Sequence, residues 1–251
     1  MNRTKFSTIA HGDHLFANPV SAAKIDQVLG LLDLQPGAQV LDVGCGNAEL
    51  LLRLIERFDV VGVGVDPNAA ALDEARRRAA GRVPSQRLQL HQQPIAEFDA
   101  QEGAYAAGLC VGSTHAYGDY LGTLAALKRL VAPGGLLVIG EGYWKQTPDP
   151  EYLMLLGAAP GDLTDHATNV TRAVAAGLIP LYSVVSNDDE WDHYEGLYCR
   201  AIERYIAAHA DDADSAEFSA YIRRWYAGYL RWGRATLGFG LYVFATQPAR
   251  R

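Results

Sequence analysis

The residues around Asp42 read Val40-Leu41-Asp42-Val43-Gly44-Cys45-Gly46-Asn47-Ala48-Glu49-Leu50. An apolar run ends in a carboxylate, two glycines follow at i and i+2, and a helical pattern begins. Gly44 and Gly46 permit a tight turn and let a ligand lie against bare main chain. The opening helix offers free N–H groups to whatever sits there. About twenty residues after Gly46, Asp66 closes a second apolar run, Gly62-Val63-Gly64-Val65-Asp66-Pro67-Asn68, at a place where a carboxylate can accept both hydroxyls of a ribose. Two ligand classes share this geometry. A dinucleotide needs a third glycine at position 49 beside its pyrophosphate, and Glu49 stands there with a like, negative charge. A ligand with a ribose and a cationic, amino-acid-like arm suits the loop better, because Asp42 supplies negative charge to that arm. A tight strand–helix turn without any ligand is the bland alternative.

The elements that position these residues follow a rhythm. Short apolar runs at Gln39–Val43, Val60–Val65, Arg87–His91, Tyr105–Val111 and Gly135–Gly140 alternate with helical spacing at Ala48–Arg57, Ala69–Ala80 and Tyr120–Val131. That alternation predicts βαβ units and a parallel sheet covered on both faces. A helix near Val20–Leu32 precedes the first strand. In the second half, helices are predicted at Asp149–Gly157, Thr164–Gly177, Asp189–His209 and Asp214–Gly233, with strands at Ile179–Ser186 and Phe239–Thr246. All four tryptophans fall after the fifth strand, which predicts an aromatic helical layer there.

Composition narrows the function. The 251 residues are 49% hydrophobic and 20% charged, enough to bury a substantial core. Lys plus Arg number 22 against 29 Asp plus Glu, a formal charge of -7. Proteins that grip phosphate backbones carry the opposite balance, so no nucleic-acid partner is expected. Cys45, Cys110 and Cys199 are too few and scattered for a disulfide framework or a metal site, so no metal is expected. Neither a secretory signal nor a membrane span is apparent near the start. A cytoplasmic protein with no membrane partner is the expectation.

LDVGCGNAEL followed by VVGVGVDPN resembles the first two motifs of the class I S-adenosylmethionine-dependent methyltransferases, of the bacterial small-molecule type. A fourth strand running into GLCVGSTHAYG, and then LKRLVAPGGLLVIGEGYW, is similar to that family's later stations. The likeness spans roughly Lys24–Trp144, and the strands at Ile179–Ser186 and Phe239–Thr246 fit its closing hairpin. It implies an α/β, doubly wound, seven-stranded mixed sheet, Rossmann-like, with the last strand antiparallel and a helical insert. It implies one domain over 1–251: an N-terminal lid and helix (1–36), a cofactor-binding core (37–144), a helical cap (145–178) and the final strands (179–251), with the insert at 187–235. The implied cofactor is S-adenosyl-L-methionine, with S-adenosyl-L-homocysteine as product. Asp42, Gly44 and Gly46 would line its methionine arm and Asp66 its ribose. Pro67, Gln93, Pro94, Val111 and Gly112 complete the implied set, and an N-terminal lid would add His11, Phe16 and Asn18.

Two departures bear on the substrate. The stretch His91-Gln92-Gln93-Pro94-Ile95 lacks the family's frequent acidic residue, although Gln93 can accept from an adenine amine through its carbonyl. The fourth strand ends in Cys110-Val111-Gly112-Ser113, without the Asn-Pro-Pro-Tyr pattern of nucleic-acid amino methyltransferases. A small-molecule acceptor is expected. The segment after the fourth strand overlooks the ligand position of a doubly wound sheet. His115 is there the candidate general base, since an imidazole titrates near neutrality, unless it merely bonds a loop carbonyl. Tyr117, Glu141, Tyr143 and Trp144 are candidate substrate contacts on the same rim. Trp191, Tyr194 and Tyr198 share one helical face beside an acidic run, which would suit an amine or an aromatic acceptor. Ordinary packing is the alternative for that stripe. The rival functions are a non-catalytic S-adenosylmethionine-binding protein and a nicotinamide-dependent oxidoreductase.

Overall fold

The computed structural model describes residues 1–249. Helices α1 (Arg3–Ala10) and α2 (Ala22–Leu29) precede the first strand. The chain then alternates through β1 (Gln39–Val43), α3 (Glu49–Phe58), β2 (Val61–Val65), α4 (Ala69–Ala79), β3 (Leu88–His91), β4 (Tyr105–Val111), α5 (Tyr120–Leu130) and β5 (Val131–Trp144). Helices α6 (Pro150–Leu156) and α7 (His166–Ala175) lead to β6 (Ile179–Val185), α8 (Asp188–Ala208), α9 (Ser215–Gly228) and β7 (Leu237–Ala245).

The seven strands form one sheet in the order β3-β2-β1-β4-β5-β7-β6. β1 pairs in parallel with β2 and β4, and β6 pairs antiparallel with β7. This is the expected doubly wound mixed sheet. Its strand order reverses between β1 and β4, the place where such sheets bind ligands. β1 is buried along four of its five residues, as an uninterrupted apolar run between two helical layers should be. Local chemistry sets the helix ends. The Asn68 carboxamide caps α4 by accepting from the Ala70 and Ala71 N–H groups. Beyond α7, Leu178 N–H returns to the Ala173 carbonyl and Gly177 N–H to that of Val174, with Gly177 at φ +83°, a Schellman stop.

The chain divides into two compact units. A sheet unit comprises Ala22–Gly142, His166–Val185 and the stretch from Phe239 onward. Its core gathers Leu41, Val43, Val65, Cys110, Leu124 and Ile139. A helical unit comprises Met1–Ser21, Tyr143–Asp165 and Ser186–Gly238. There Phe6 and Ala10 pack with Ile202, Phe218 and Ile222, and Trp144 packs with Tyr152 and Leu153.

Three elements differ from the pattern reading. The segment before α2 is helical: the Asn2 side chain caps α1, and Lys5 Nζ sits 2.7 Å from Asp212 and 2.9 Å from Asp214. β5 begins at Val131, pairing with Tyr105, and the ladder resumes only at Leu136 opposite Ala107, so Ala132–Gly135 form a bulge carrying the predicted Pro-Gly turn. The last long helix stops at Gly228 and continues as a π-helical turn, Tyr229–Gly233.

Candidate functional site

The loop between β1 and α3 places positive φ at alternate residues: Gly44 at +69°, Gly46 at +53° and Ala48 at +57°. Main-chain bonds fix it, with Gly44 N–H donating to the Val65 carbonyl at 2.9 Å. The Asp66 carboxylate braces it from the end of β2, accepting from Gly46 N–H at 2.9 Å and from Asn68 N–H at 2.8 Å. Each Asp66 oxygen keeps a further lone pair for a ligand hydroxyl. The two glycines are required for different reasons. A Cβ on Gly44 would fall 2.3 Å from Ser113 Oγ, whereas one on Gly46 would meet no atom within 4 Å. Bare backbone at Gly46 therefore faces open space.

Beneath the loop, Asp42 is 2% exposed and its Oδ2 has no hydrogen-bond partner. Burial first, and repulsion from Asp66 second, push its carboxyl up to about 8. A buried carboxyl without a counter-charge is costly, and a cationic group brought against it relieves that cost. A ribose-bearing ligand with an ammonium arm fits these residues: an orphaned carboxylate oxygen, an open glycine and a ribose-competent carboxylate.

Glu49 is also buried, but its charge is spent elsewhere. Arg53 Nε lies 3.0 Å and Arg82 Nη1 2.9 Å from its oxygens, with Arg78 at 3.7 Å. The network ties the start of α3 to the end of α4. Because three arginines match that charge, repulsion of a pyrophosphate by Glu49 no longer argues against a dinucleotide.

Elsewhere in the sheet unit, Asp66 N–H donates to the His91 carbonyl at 3.1 Å, which fixes the end of β3. Gln93 is half-buried and Pro67 and Pro94 are exposed, while Val111 is buried and Gly112 exposed at φ +74°. His115 is exposed on the single 3₁₀ turn Thr114–Tyr117. That turn is held by its neighbour: Thr114 Oγ1 donates to Glu141 Oε2 at 2.5 Å, and Gly142 N–H donates to Glu141 Oε1 at 2.8 Å. Burial raises the Glu141 carboxyl, while these donors and His115 pull it back. Tyr117 packs its ring on the sheet core, and burial pushes its hydroxyl up to about 12.

The helical unit holds the remaining candidates. His11 Nε2 lies 3.0 Å from the Tyr194 hydroxyl, and His14 Nε2 lies 2.9 Å from the Tyr194 carbonyl. Phe16 is buried and Asn18 half-buried. Trp144 Nε1 donates to the Pro160 carbonyl at 3.0 Å, and the ring of Tyr143 covers Gly238. Trp191 lies edge-on to Tyr194, with ring centroids 6.3 Å apart. Among the described residues, no group of three or more His, Cys, Asp or Glu could hold a metal ion, and no helix is long and apolar enough to cross a membrane.

Residues 40–135 match the family model described as a methyltransferase domain. The structure superposes with a TM-score of 0.90 on an S-adenosylmethionine-dependent methyltransferase from Geobacter sulfurreducens, solved with S-adenosyl-L-homocysteine, at 26% identity over 97% of this chain and 98% of that one. The chain is a class I S-adenosylmethionine-dependent methyltransferase. It is also 28% identical to the uncharacterized protein YjhP of Escherichia coli over 97% of its own length and 98% of the relative's. A third relative is 27-O-demethylrifamycin SV methyltransferase of Amycolatopsis mediterranei, 26% identical over 67% of this chain and 56% of that protein.

Within the methyltransferase, pattern reading missed three features. Ser113 against Gly44 had no local signal, because the contact joins the ends of β1 and β4. The Glu49 cluster was legible in part, since Arg53 follows at i+4 and Arg78 and Arg82 sit four apart. Glu195 passed as one carboxylate of an acidic helix start, yet it is buried, with Trp225 Nε1 donating to it at 2.8 Å.

Proposed function

We propose that this methyltransferase methylates a small organic acceptor, an amine or an aromatic compound, in the cytoplasm, with neither a nucleic acid nor a membrane as partner. The observation that carries the cofactor side is Asp42, whose buried, unpartnered oxygen lies beneath a glycine loop open at Gly46. When bound, S-adenosylmethionine supplies an electrophilic methyl group on a sulfonium. Asp42 meets the cationic arm with its charge, Gly44 and Gly46 admit that arm against bare backbone, and Asp66 accepts the ribose hydroxyls. Pro67, Gln93, Pro94, Val111 and Gly112 are assigned to the rest of the cofactor, and His11 and Asn18 from the N-terminal segment are assigned to it as well.

On the acceptor side, His115 takes the proton of a protonated nucleophile. The imidazole is exposed, and the Thr114–Glu141 bond fixes the turn that carries it. Alignment of donor and acceptor supplies much of the acceleration in such a displacement. Tyr117, Glu141, Tyr143, Trp144, Trp191 and Tyr194 are assigned to acceptor recognition. The relative named for 27-O-demethylrifamycin SV supports a small organic acceptor.

The test is methyl transfer to a panel of amines, phenols and thiols, followed by mass spectrometry, for the wild type and His115→Ala. The variant should keep its affinity for S-adenosylhomocysteine and lose roughly 10²-fold or more in turnover of a protonated acceptor. Equal turnover would return His115 to an ordinary loop residue.

A further inference from the structure

Three of the six carboxylates of α8 are matched by cations. Asp188 pairs with Lys145 and Arg234, Asp192 with Arg234, and Glu203 with Arg223. Glu190 closes a capping box with Asn187 and accepts the Ser21 N–H at 2.9 Å. Asp189 is exposed to water. Glu195 is buried, at 3% exposure, and has no cationic partner among the described residues. Its one hydrogen-bond donor among the described residues is a neutral indole, Trp225 Nε1.

Aromatic rings surround this stretch of the helix. Trp191 lies one turn before Glu195 on the same face and stacks on Tyr229 with ring centroids 6.4 Å apart. Tyr194 stacks on Tyr198 at 6.2 Å, and Tyr198 lies 6.4 Å from Trp225. Trp191 is 6% exposed, and its Nε1 has no hydrogen-bond partner. The nearby imidazoles do not supply the missing charge, because burial lowers both His11 and His14. Burial in turn pushes the Glu195 carboxyl up to about 7. A buried carboxylate beside a cluster of aromatic rings favours an organic cation: the carboxylate attracts the charge, and the negative faces of the rings add to that attraction.

We propose that Glu195, with Trp191, Tyr194, Tyr198, Trp225 and Tyr229, forms a binding site for the ammonium group of a small organic molecule. As recognition of a cationic acceptor this rests on the methyl-transfer reading. As a binding site it stands on the helical unit alone.

The probe is choline, set against its neutral isostere 3,3-dimethyl-1-butanol, titrated into full-length protein saturated with S-adenosylhomocysteine and followed by tryptophan fluorescence and calorimetry. Choline should bind saturably, and the isostere about tenfold more weakly or not at all. Glu195→Gln keeps an acceptor for Trp225 while removing the charge; it should weaken choline binding about tenfold or more and leave S-adenosylhomocysteine affinity unchanged. Should Glu195→Gln melt, Trp191→Leu, which removes one ring and no charge, should weaken choline severalfold. Equal binding of choline and the isostere, an unchanged choline affinity in a folded variant, or no saturable choline binding would each overturn the site. Failure of S-adenosylhomocysteine to bind the wild type would instead count against the cofactor reading, leaving the choline comparison to be read on its own.

Discussion

Asp42, a carboxyl with 2% exposure and an unpartnered oxygen, has to choose between its proton and a cation. Its ordinary value of 3.8 is pushed up to about 8 by burial and by Asp66. Between those values the folded protein holds a proton that the unfolded chain releases. The resulting stability is fully present below the ordinary carboxylate range and is lost as pH rises through about 8. A cationic ligand that needs the ionised form must displace that proton. Affinity for S-adenosylhomocysteine should therefore climb as pH rises toward 8, by up to about tenfold per pH unit, and level off above it. Calorimetry at several pH values checks this, and Asp42→Asn should flatten the slope. A wild-type affinity that shows no such climb would mean that Asp42 does not meet the cationic arm.

At the scale of elements, the strand–loop–helix unit assigns separate tasks to its two glycines. Gly44→Ala forces a side chain into Ser113 at a φ of +69°, so the variant should lose thermal stability, with partial recovery on adding Ser113→Gly. Gly46→Ala meets no atom within 4 Å, so its stability should fall only by the left-handed cost of about 1 kcal/mol, while cofactor affinity drops. Thermal melts with and without S-adenosylhomocysteine separate the two, and a Gly46→Ala protein with native affinity would place the ligand elsewhere. This unit was legible in the sequence because an apolar run, glycines at i and i+2 and a helical period all coincide within a dozen residues. The same holds for the alternating strands and helices up to β5. Helix α1 was not legible: only Phe6 and Ala10 of its residues are buried, too few to show a period, and the acidic partners of Lys5 lie some two hundred residues away. The bulge at Ala132–Gly135 was likewise hidden, since Pro133 and Gly134 signal a turn without saying that the strand has already begun.

Across the whole molecule, the two units differ in how they are written. The sheet unit grows from successive βα repeats, each with a local signature, and its seven-stranded order follows from them. The helical unit is gathered from Met1–Ser21, Tyr143–Asp165 and Ser186–Gly238, so its contacts join segments that no periodicity links. His11 against Tyr194 and Trp225 against Glu195 are of that kind. The aromatic bias of the second half was visible, but which carboxylate it would bury was not. Cofactor binding by the loop from Asp42 to Gly46 and by Asp66 is tested by calorimetric titration of S-adenosylmethionine, S-adenosylhomocysteine and NADH into the wild type and Asp66→Ala. The first two should bind the wild type and NADH should not, and the variant should lose about 1.5–3 kcal/mol of affinity with the charge-assisted bonds to the ribose. Binding of NADH alone, or an unchanged affinity in the folded variant, would contradict it.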